Sequence, residues 1–345
     1  MENTSTASPQ HESSLEPTQE AKLDQGANGD GTQSNKKIAP SPFIASTKLQ
    51  FAWDSTSLGA LKECPRKYQY SIIEGWRSKS TKVDLEFGIE YHHGIEVYDR
   101  VRLQGESHEE ALRFVVKDIL TRTWEAEWAA IDDPNKNRQT LIRSLIWYLE
   151  EFQNDNAKTI TLANGKPAVE LSFRMNLDYG PLIDETPGMG PNYMLCGHID
   201  RLVTFIDQVY VQDHKTTKTT LSPNYFAQFE PDNQMSLYTI ASQIVWSTPV
   251  KGVMIDAAQI AVGFTKFDRS ITYRTEAQLE EWLQDLQVWL RQNEEYVRQD
   301  HWPMNDKSCR MCQFKKICSK DPSVREIFLK SEFDNSNPWN PLRIR

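Results

Sequence analysis

The sequence predicts an α+β protein, a small mixed sheet flanked by helices. Three observations carry this. Apolar residues recur at helical spacing over 87–152, with Ile95, Val97, Tyr98 and Val101 followed by Leu141, Ile142, Leu145, Ile146, Leu149 and Phe152. From residue 168 the period shortens to that of strands, and from residue 233 helical spacing returns. No internal repeat is present, and helices and strands do not strictly alternate.

Taken in order, residues 1–46 are rich in Ser, Thr, Gln, Asn, Glu and Pro, with almost no apolar residues before Ile38. Such a segment buries too little surface to offset chain entropy and reads as a disordered tail. Order is expected from Leu49 and Phe51, with Ser55 or Ser57 capping a helix through Leu58, Leu61 and Tyr68. A helical insertion then fills about 95–155. Strands are expected at 169–175, 193–196, 199–206 and 209–213, with Asp207-Gln208 as the tight turn between the last two and Asn164-Gly165 as a further turn. A helix over 233–246, a strand over 250–264 and a helix over 276–300 follow, then a cysteine-rich segment at 302–320 and a tail over 321–345. The folded domain is thus expected over 47–320.

The chain of 345 residues carries a formal charge of −9, and the first 46 residues hold six acidic against three basic side chains. That balance disfavours a protein that coats nucleic acid non-specifically, because such binding neutralises many phosphates. It is compatible with carboxylates gathered around a divalent cation beside a local basic groove. No apolar run is long enough to span a membrane and no secretory signal opens the chain, so a cytoplasmic protein without a membrane partner is expected. In a reducing compartment, five cysteines read as ligands or buried thiols.

The most informative residues are Asp200, in Gly197-His198-Ile199-Asp200, and the run Asp213-His214-Lys215, on consecutive strands of one hairpin. Asp213 and Lys215 share a face because strand side chains alternate. Phosphodiester hydrolysis at neutral pH calls for a cation that polarises the phosphoryl group and acidifies water, and hard Mg²⁺ or Mn²⁺ prefers carboxylate oxygen. Asp200 and Asp213 would supply it, Lys215 would orient water or stabilise charge in the transition state, and the His214 backbone carbonyl could reach the metal. Cys309-x-x-Cys312, followed by Cys318, places three thiols within ten residues, suited to a cluster or a metal that needs a fourth ligand. Cys196, in an apolar strand, reads as a buried small hydrophobe. Trp124, Trp128, Trp147, Trp282 and Trp289 fall on helix faces and read as core, and His93, His198 and Glu170 read as ordinary polar residues.

These motifs resemble the RecB/AddB-like branch of the PD-(D/E)XK nuclease superfamily, which includes the small CRISPR-adaptation nucleases, over most of residues 50–320. Gly88-x-x-x-His92 followed by Glu96, Gly197-x-x-Asp200, Asp213-x-Lys215 and Gln234-x-x-x-Tyr238 each match a motif of that branch. The resemblance implies a restriction-endonuclease-like core with His92, Asp200 and Asp213 as metal ligands and Lys215 as the catalytic lysine. Gln234 and Tyr238, one helical turn apart, would contact DNA or position the lysine. Cys64, in Cys64-Pro65-Arg66-Lys67-Tyr68, matches the upstream cysteine that joins the triplet Cys309, Cys312 and Cys318 around a [4Fe–4S] cluster in this branch; a structural Zn²⁺ uses the same ligand types.

The expected activity is metal-dependent hydrolysis of DNA, leaving a 5′-phosphate, by an exonuclease in DNA processing, recombination or repair. A structure-selective endonuclease and a catalytically silent iron–sulfur DNA-binding module are the alternatives, with a zinc-stapled adaptor behind them. No phosphate-binding loop of the nucleotide-hydrolase type occurs, so any helicase or recombination partner would be a separate protein.

Overall fold

The computed structural model describes residues 39–79, 83–131, 133–162, 165–182, 191–245 and 249–343. The expected tail therefore lies mostly outside the described residues, as do Asn164 and Trp246. Phe43 already bridges to Gln50 ahead of β1 (Ala52–Trp53). Helix α1 (Ser55–Glu63) is capped by Asp54, one residue before Ser55 and three before Ser57, the expected caps. Asp54 is extended and its carboxylate accepts from Ser57 N at 2.9 Å, while the Ser57 hydroxyl answers the Asp54 backbone in a capping box. The helix stops at an extended Cys64, since the residue before a proline is pushed out of the helical region, and α2 (Pro65–Tyr68) starts anew on Pro65. One expected helix is thus two, with the buried Cys64 at the break.

After β2 (Arg77–Ser78), the helical insertion consists of α3 (Val83–Leu103), α4 (His108–Thr123) and α5 (Arg138–Glu151), with α4 and α5 begun by capping boxes at Ser107 and Asn137. Phe87, Tyr91 and Ile95 pack with Val115, Ile119, Leu141 and Leu145 into a core of their own that leans on the sheet through Ala258 and Ile260.

The sheet holds β1, β3 (Lys158–Thr159), β4 (Val169–Asn176), β5 (Met194–Phe205), β6 (Gln208–Thr217), β7 (Val250–Ile260) and β8 (Thr265–Thr272). β5 is its spine. β3 and β4 run antiparallel along one side of β5, and β1, parallel, and β6, antiparallel, along the other. β6 pairs in parallel with β7 after a crossover through α6 (Pro223–Ala227) and α7 (Asn233–Val245), and β8 closes the edge as an antiparallel neighbour of β7. The mixed sheet flanked by helices is the predicted fold.

Three boundaries differ from the sequence reading. The strands expected at 193–196 and 199–206 form one continuous β5. Its turn to β6 is Ile206-Asp207, both with left-handed φ (48° and 56°), the geometry that matches strand twist in a two-residue hairpin, so Gln208 already belongs to β6. The strand expected over 250–264 ends at Ile260 and turns back through Val262 and Gly263 into β8, whose polar Thr265, Lys266, Asp268 and Arg269 suit an edge.

The long amphipathic α8 (Glu276–Arg298) covers the main core with Leu279, Leu286 and Leu290. Short α9 (Lys315–Cys318) follows the cysteine segment. The region read as a C-terminal tail instead folds back, forming α10 (Arg325–Glu332) and β9 (Phe333–Asp334), which pairs antiparallel with β2. Phe333 stacks on Phe314 at 4.9 Å, and the Trp339 indole donates to Asp54 Oδ2 at 3.1 Å, tying the end of the chain to the start of α1.

Candidate active site and cysteine cluster

Asp200 occupies the middle of β5, where β6 begins to part from it. The last paired residues are Arg201 and Gln212, and beyond them the Asp200 carboxylate takes over the ladder: its Oδ2 accepts from His214 N at 2.8 Å. The same oxygen lies 3.2 Å from His92 Nδ1, on α3. Burial by itself would push the Asp200 carboxyl up, but His92, His214 and Lys215 outweigh it and hold the group well below the usual carboxylate range. His92 is shifted reciprocally: burial lowers its pKa, Asp200 raises it, and the net shift is upward.

Gly197 of the Gly-x-x-Asp motif has a packing reason. It pairs across the ladder with Phe173 of β4, and a Cβ at 197 would sit 2.9 Å from Phe173 Cζ. The motif glycine thus makes room for a core aromatic three residues from the functional aspartate.

On β6, alternation sends Asp213 and Lys215 to one side and His214 to the other. The Lys215 ammonium stands 2.6 Å from Asp213 Oδ2 as an ion pair. It also donates to Gln234 Oε1 at 2.8 Å, and Gln234 Nε2 donates to the Tyr238 hydroxyl at 2.9 Å. Asp232 caps α7 by accepting from Gln234 N and Met235 N, which fixes the position of Gln234 in the first turn of the helix. Burial pushes the Asp213 carboxyl up to about 6 against the attraction of Lys215, with Asp200 adding to the rise. Burial would lower the Lys215 ammonium, but Asp213 and Asp200 raise it on balance, so the lysine stays charged.

The reverse side of β6 is a buried polar layer. His214 is nearly inaccessible, its ring edge-on to Tyr148 and to His92, and burial lowers its pKa to about 4. Tyr148 donates to Asp256 Oδ2 at 2.7 Å, which also receives Gln212 and Arg269, while Gln212 Oε1 receives Arg201 and Arg201 reaches Asp99 at 2.8 Å. This network links α5, β7, β6, β5 and α3 behind the aspartates.

His92, Asp200, Asp213, the His214 backbone, Lys215, Gln234 and Tyr238 therefore lie together at one site. His93 does not join them; it faces Asp118 at 2.7 Å and Glu96. His198 bonds Ser172 Oγ instead, at 2.9 Å. Glu170, read from the sequence as an ordinary polar residue, is placed otherwise. Val169 pairs with Arg201 and Leu171 with Ile199, so Glu170 falls opposite Asp200, and ligand atoms of His92, Glu170 and Asp200 all lie within 4.8 Å of one another. The signal for it is the β4–β5 register, which no local motif encodes.

The donor set suits a hard divalent cation. Three carboxylates (Glu170, Asp200 and Asp213) and the His92 imidazole lie in a partly buried site beside the Lys215 ammonium, leaving oxygen ligands and negative charge for Mg²⁺ or Mn²⁺.

The second constellation lies at the α1–α2 break. Cys64, Cys309, Cys312 and Cys318 line one small cavity together with Lys67 and Phe314, and all five cysteines are unbridged thiols. Asn305 N donates to Cys64 Sγ at 3.3 Å, and the Asn305 and Ser308 side chains donate to Glu63 O at 2.8 Å, so the cysteine segment is docked on the C-terminal end of α1. Cys196 is apart, buried between Ala52 and Leu342, its thiol donating to Trp53 O and pushed upward by burial.

A sheet forked around paired aspartates with an adjacent lysine defines a class of phosphodiester-hydrolysing protein. The profile of the PD-(D/E)XK nuclease superfamily matches residues 53–319, and the chain belongs to that superfamily. Among solved structures it is similar to SSO0001, with 14% identity and a TM-score of 0.34 over 78% of this chain and 86% of that one. It is also similar to a candidate exonuclease from Eubacterium rectale, with 11% identity and a TM-score of 0.41 over 81% and 93%. No curated protein matches the chain. Among the described residues, no helix is long and apolar enough to cross a membrane.

Proposed function

We propose that this protein is a divalent-cation-dependent deoxyribonuclease that acts as an exonuclease on DNA ends and leaves 5′-phosphates, in DNA processing, recombination or repair. The observation that carries the reading is the convergence of Asp200, Asp213 and Lys215 at the fork of β5 and β6, with His92 over them. His92, Asp200, Asp213 and the His214 carbonyl would hold Mg²⁺ or Mn²⁺, which when bound supplies Lewis acidity and a water of lowered pKa. Lys215, charged and held by Gln234, orients the attacking water and offsets charge that develops on the phosphoryl group. Asp200, kept ionised by its neighbours, is ready as a ligand throughout the neutral range.

The four clustered cysteines fit a soft metal group better than disulfides, and we assign them to a structural [4Fe–4S] cluster, with Zn²⁺ as the rival occupant. It would clamp the start of the domain to its end. DNA is the expected partner, with any helicase or recombination protein acting as a separate chain.

The test is digestion of end-labelled linear and covalently closed DNA with Mg²⁺ or Mn²⁺ by anaerobically purified protein, beside a Lys215→Ala variant that retains its metal content. Degradation of linear DNA alone, abolished in the variant, is the expected result. Cutting of closed circles would shift the reading to an endonuclease. Absence of cleavage by intact protein would leave a binding module.

A further inference from the structure

We propose that Phe333 and Arg325, which follow the last cysteine in the chain, are positioning residues for the cysteine-held metal group: they close its apolar flank and fix Cys318 without supplying a ligand. The inference rests on the assignment of the four cysteines to a metal group and adds to it the segment that keeps the group in place.

The cavity lined by Cys64, Cys309, Cys312 and Cys318 has Phe314 as an apolar wall. Cys64 is secured from the α1 side, where Asn305 N donates to its sulfur. On the other flank Cys312 and Cys318 pack against a small core of Tyr70, Trp76, Phe314, Ile317, Leu329 and Phe333, distinct from the main core of the domain. Leu329 and Phe333 come from beyond the cysteines. Phe314 is only 1% exposed because rings from both sides of it in the chain cover it, Tyr70 edge-on at 5.3 Å and Phe333 stacked at 4.9 Å. Taking Phe333 away uncovers the ring that walls the cavity, and the apolar shell around a metal site governs how readily solvent reaches it.

Strand register puts Phe333 there. β9 pairs with β2 through Arg77 opposite Asp334 and Ser78 opposite Phe333, and alternation buries Phe333 while Asp334 is exposed. The Lys79 ammonium donates to Ser331 O at 2.8 Å and to Lys330 O at 3.2 Å, which holds the end of α10 against β2. Arg325 holds the start of α10: its Nη2 donates to Cys318 O and its Nε to Lys320 O, each at 3.0 Å. Cys318 ends α9, so the guanidinium takes up a carbonyl that the helix leaves unsatisfied and fixes the backbone that carries the Cys318 sulfur. Residues 325–333 thus run from the carbonyl of one ligand to the ring that seals the cavity wall.

The experiment is metal retention by the full chain, purified anaerobically: iron, sulfide and zinc content, the visible absorption of the bound group, and its rate of loss to a chromogenic chelator below the melting transition. Wild type is compared with Phe333→Ala, Phe333→Leu, Arg325→Ala and Trp339→Phe, the last of which loosens the same end of the chain where it meets Asp54 and the main core. The two alanine variants are expected to load metal and to lose it at least about tenfold faster than wild type, as for removal of groups that support metal ligands. Phe333→Leu, which refills most of the apolar space, should recover most of the lifetime, and Trp339→Phe should keep all of it. Should Phe333→Ala not fold, Arg325→Ala, half-buried at the start of α10, carries the comparison. Loss at the wild-type rate in the alanine variants, or equal acceleration in Trp339→Phe, would overturn the proposal. Wild type that binds neither iron nor zinc would overturn the metal assignment and this inference with it, whereas metal held equally long by every variant overturns this inference alone.

Discussion

The Lys215 ammonium is held at 2.8 Å by the side-chain carbonyl of Gln234, whose amide is in turn committed to Tyr238. That relay fixes which end of the Gln234 amide faces the lysine, because the nitrogen already donates to the phenol. Of the paired glutamine and tyrosine, left open by the sequence between touching DNA and placing the lysine, Gln234 thereby contacts the lysine and Tyr238 contacts Gln234.

Gln234→Ala should lower kcat about 10- to 100-fold with little change in KM, as expected for loss of a group that orients an active-site side chain. Tyr238→Phe should cost less, since Gln234 retains its bond to Lys215. Equal losses of affinity for DNA with unchanged kcat, measured by single-turnover cleavage over a range of DNA concentrations, would place the pair on the DNA instead.

Asp213 gives a pH prediction. Its carboxyl is pushed up to about 6 from an ordinary value of 3.8, so the folded protein holds this proton more tightly than the unfolded chain does. In the metal-free protein the ionised group therefore opposes folding above about pH 6, and the penalty disappears below about pH 4. Asp213→Asn should raise the melting temperature of metal-free protein at pH 8 and leave it near the wild-type value at pH 4. Saturating Mg²⁺ should stabilise the wild type more than the variant at pH 8, and removal of the ion by chelation should reverse this.

The cysteine clamp predicts a stability effect with a built-in control. Cys64→Ser or Cys309→Ser should remove the bound metal and lower the melting temperature by roughly 10 °C, what about 3–4 kcal/mol yields in a domain of this size. Cys196→Ser, in a different cluster of the core, should keep full metal content. Iron and sulfide analysis on the three proteins separates iron–sulfur from zinc and tests the ligand set together.

How much of this was legible in the sequence follows from how local each signal is. His92, Asp200, Asp213, Lys215, Gln234 and Tyr238 sit in short motifs whose spacing on a helix or strand survives folding, and the structure brings them together. Glu170 was missed because its relation to Asp200 exists only across the β4–β5 ladder, and its left-handed backbone is no property of a glutamate in isolation. β8 was hidden by its polar edge character, and α10 and β9 by a segment whose few apolar side chains, such as Leu329 and Phe333, find their partners in Phe314 and in Tyr70 and Trp76 far upstream.

Gly197 offers a test of packing against chemistry. The motif glycine is three residues from Asp200 on the same strand, and its absent Cβ is what lets Phe173 lie across β5. Gly197→Ala should cost about 1–3 kcal/mol by overpacking, because the contacted ring is buried against Tyr238 and has little room to retreat. Since Phe173 touches Tyr238 edge-on at 6.5 Å, the displaced ring should also disturb the Gln234–Lys215 relay and lower kcat. Phe173→Leu introduced with Gly197→Ala should recover both stability and rate relative to the single Gly197 variant, by supplying the missing space. If the double variant regains stability in urea denaturation but not activity, the glycine serves the site directly, through its backbone, and not through the ring it accommodates.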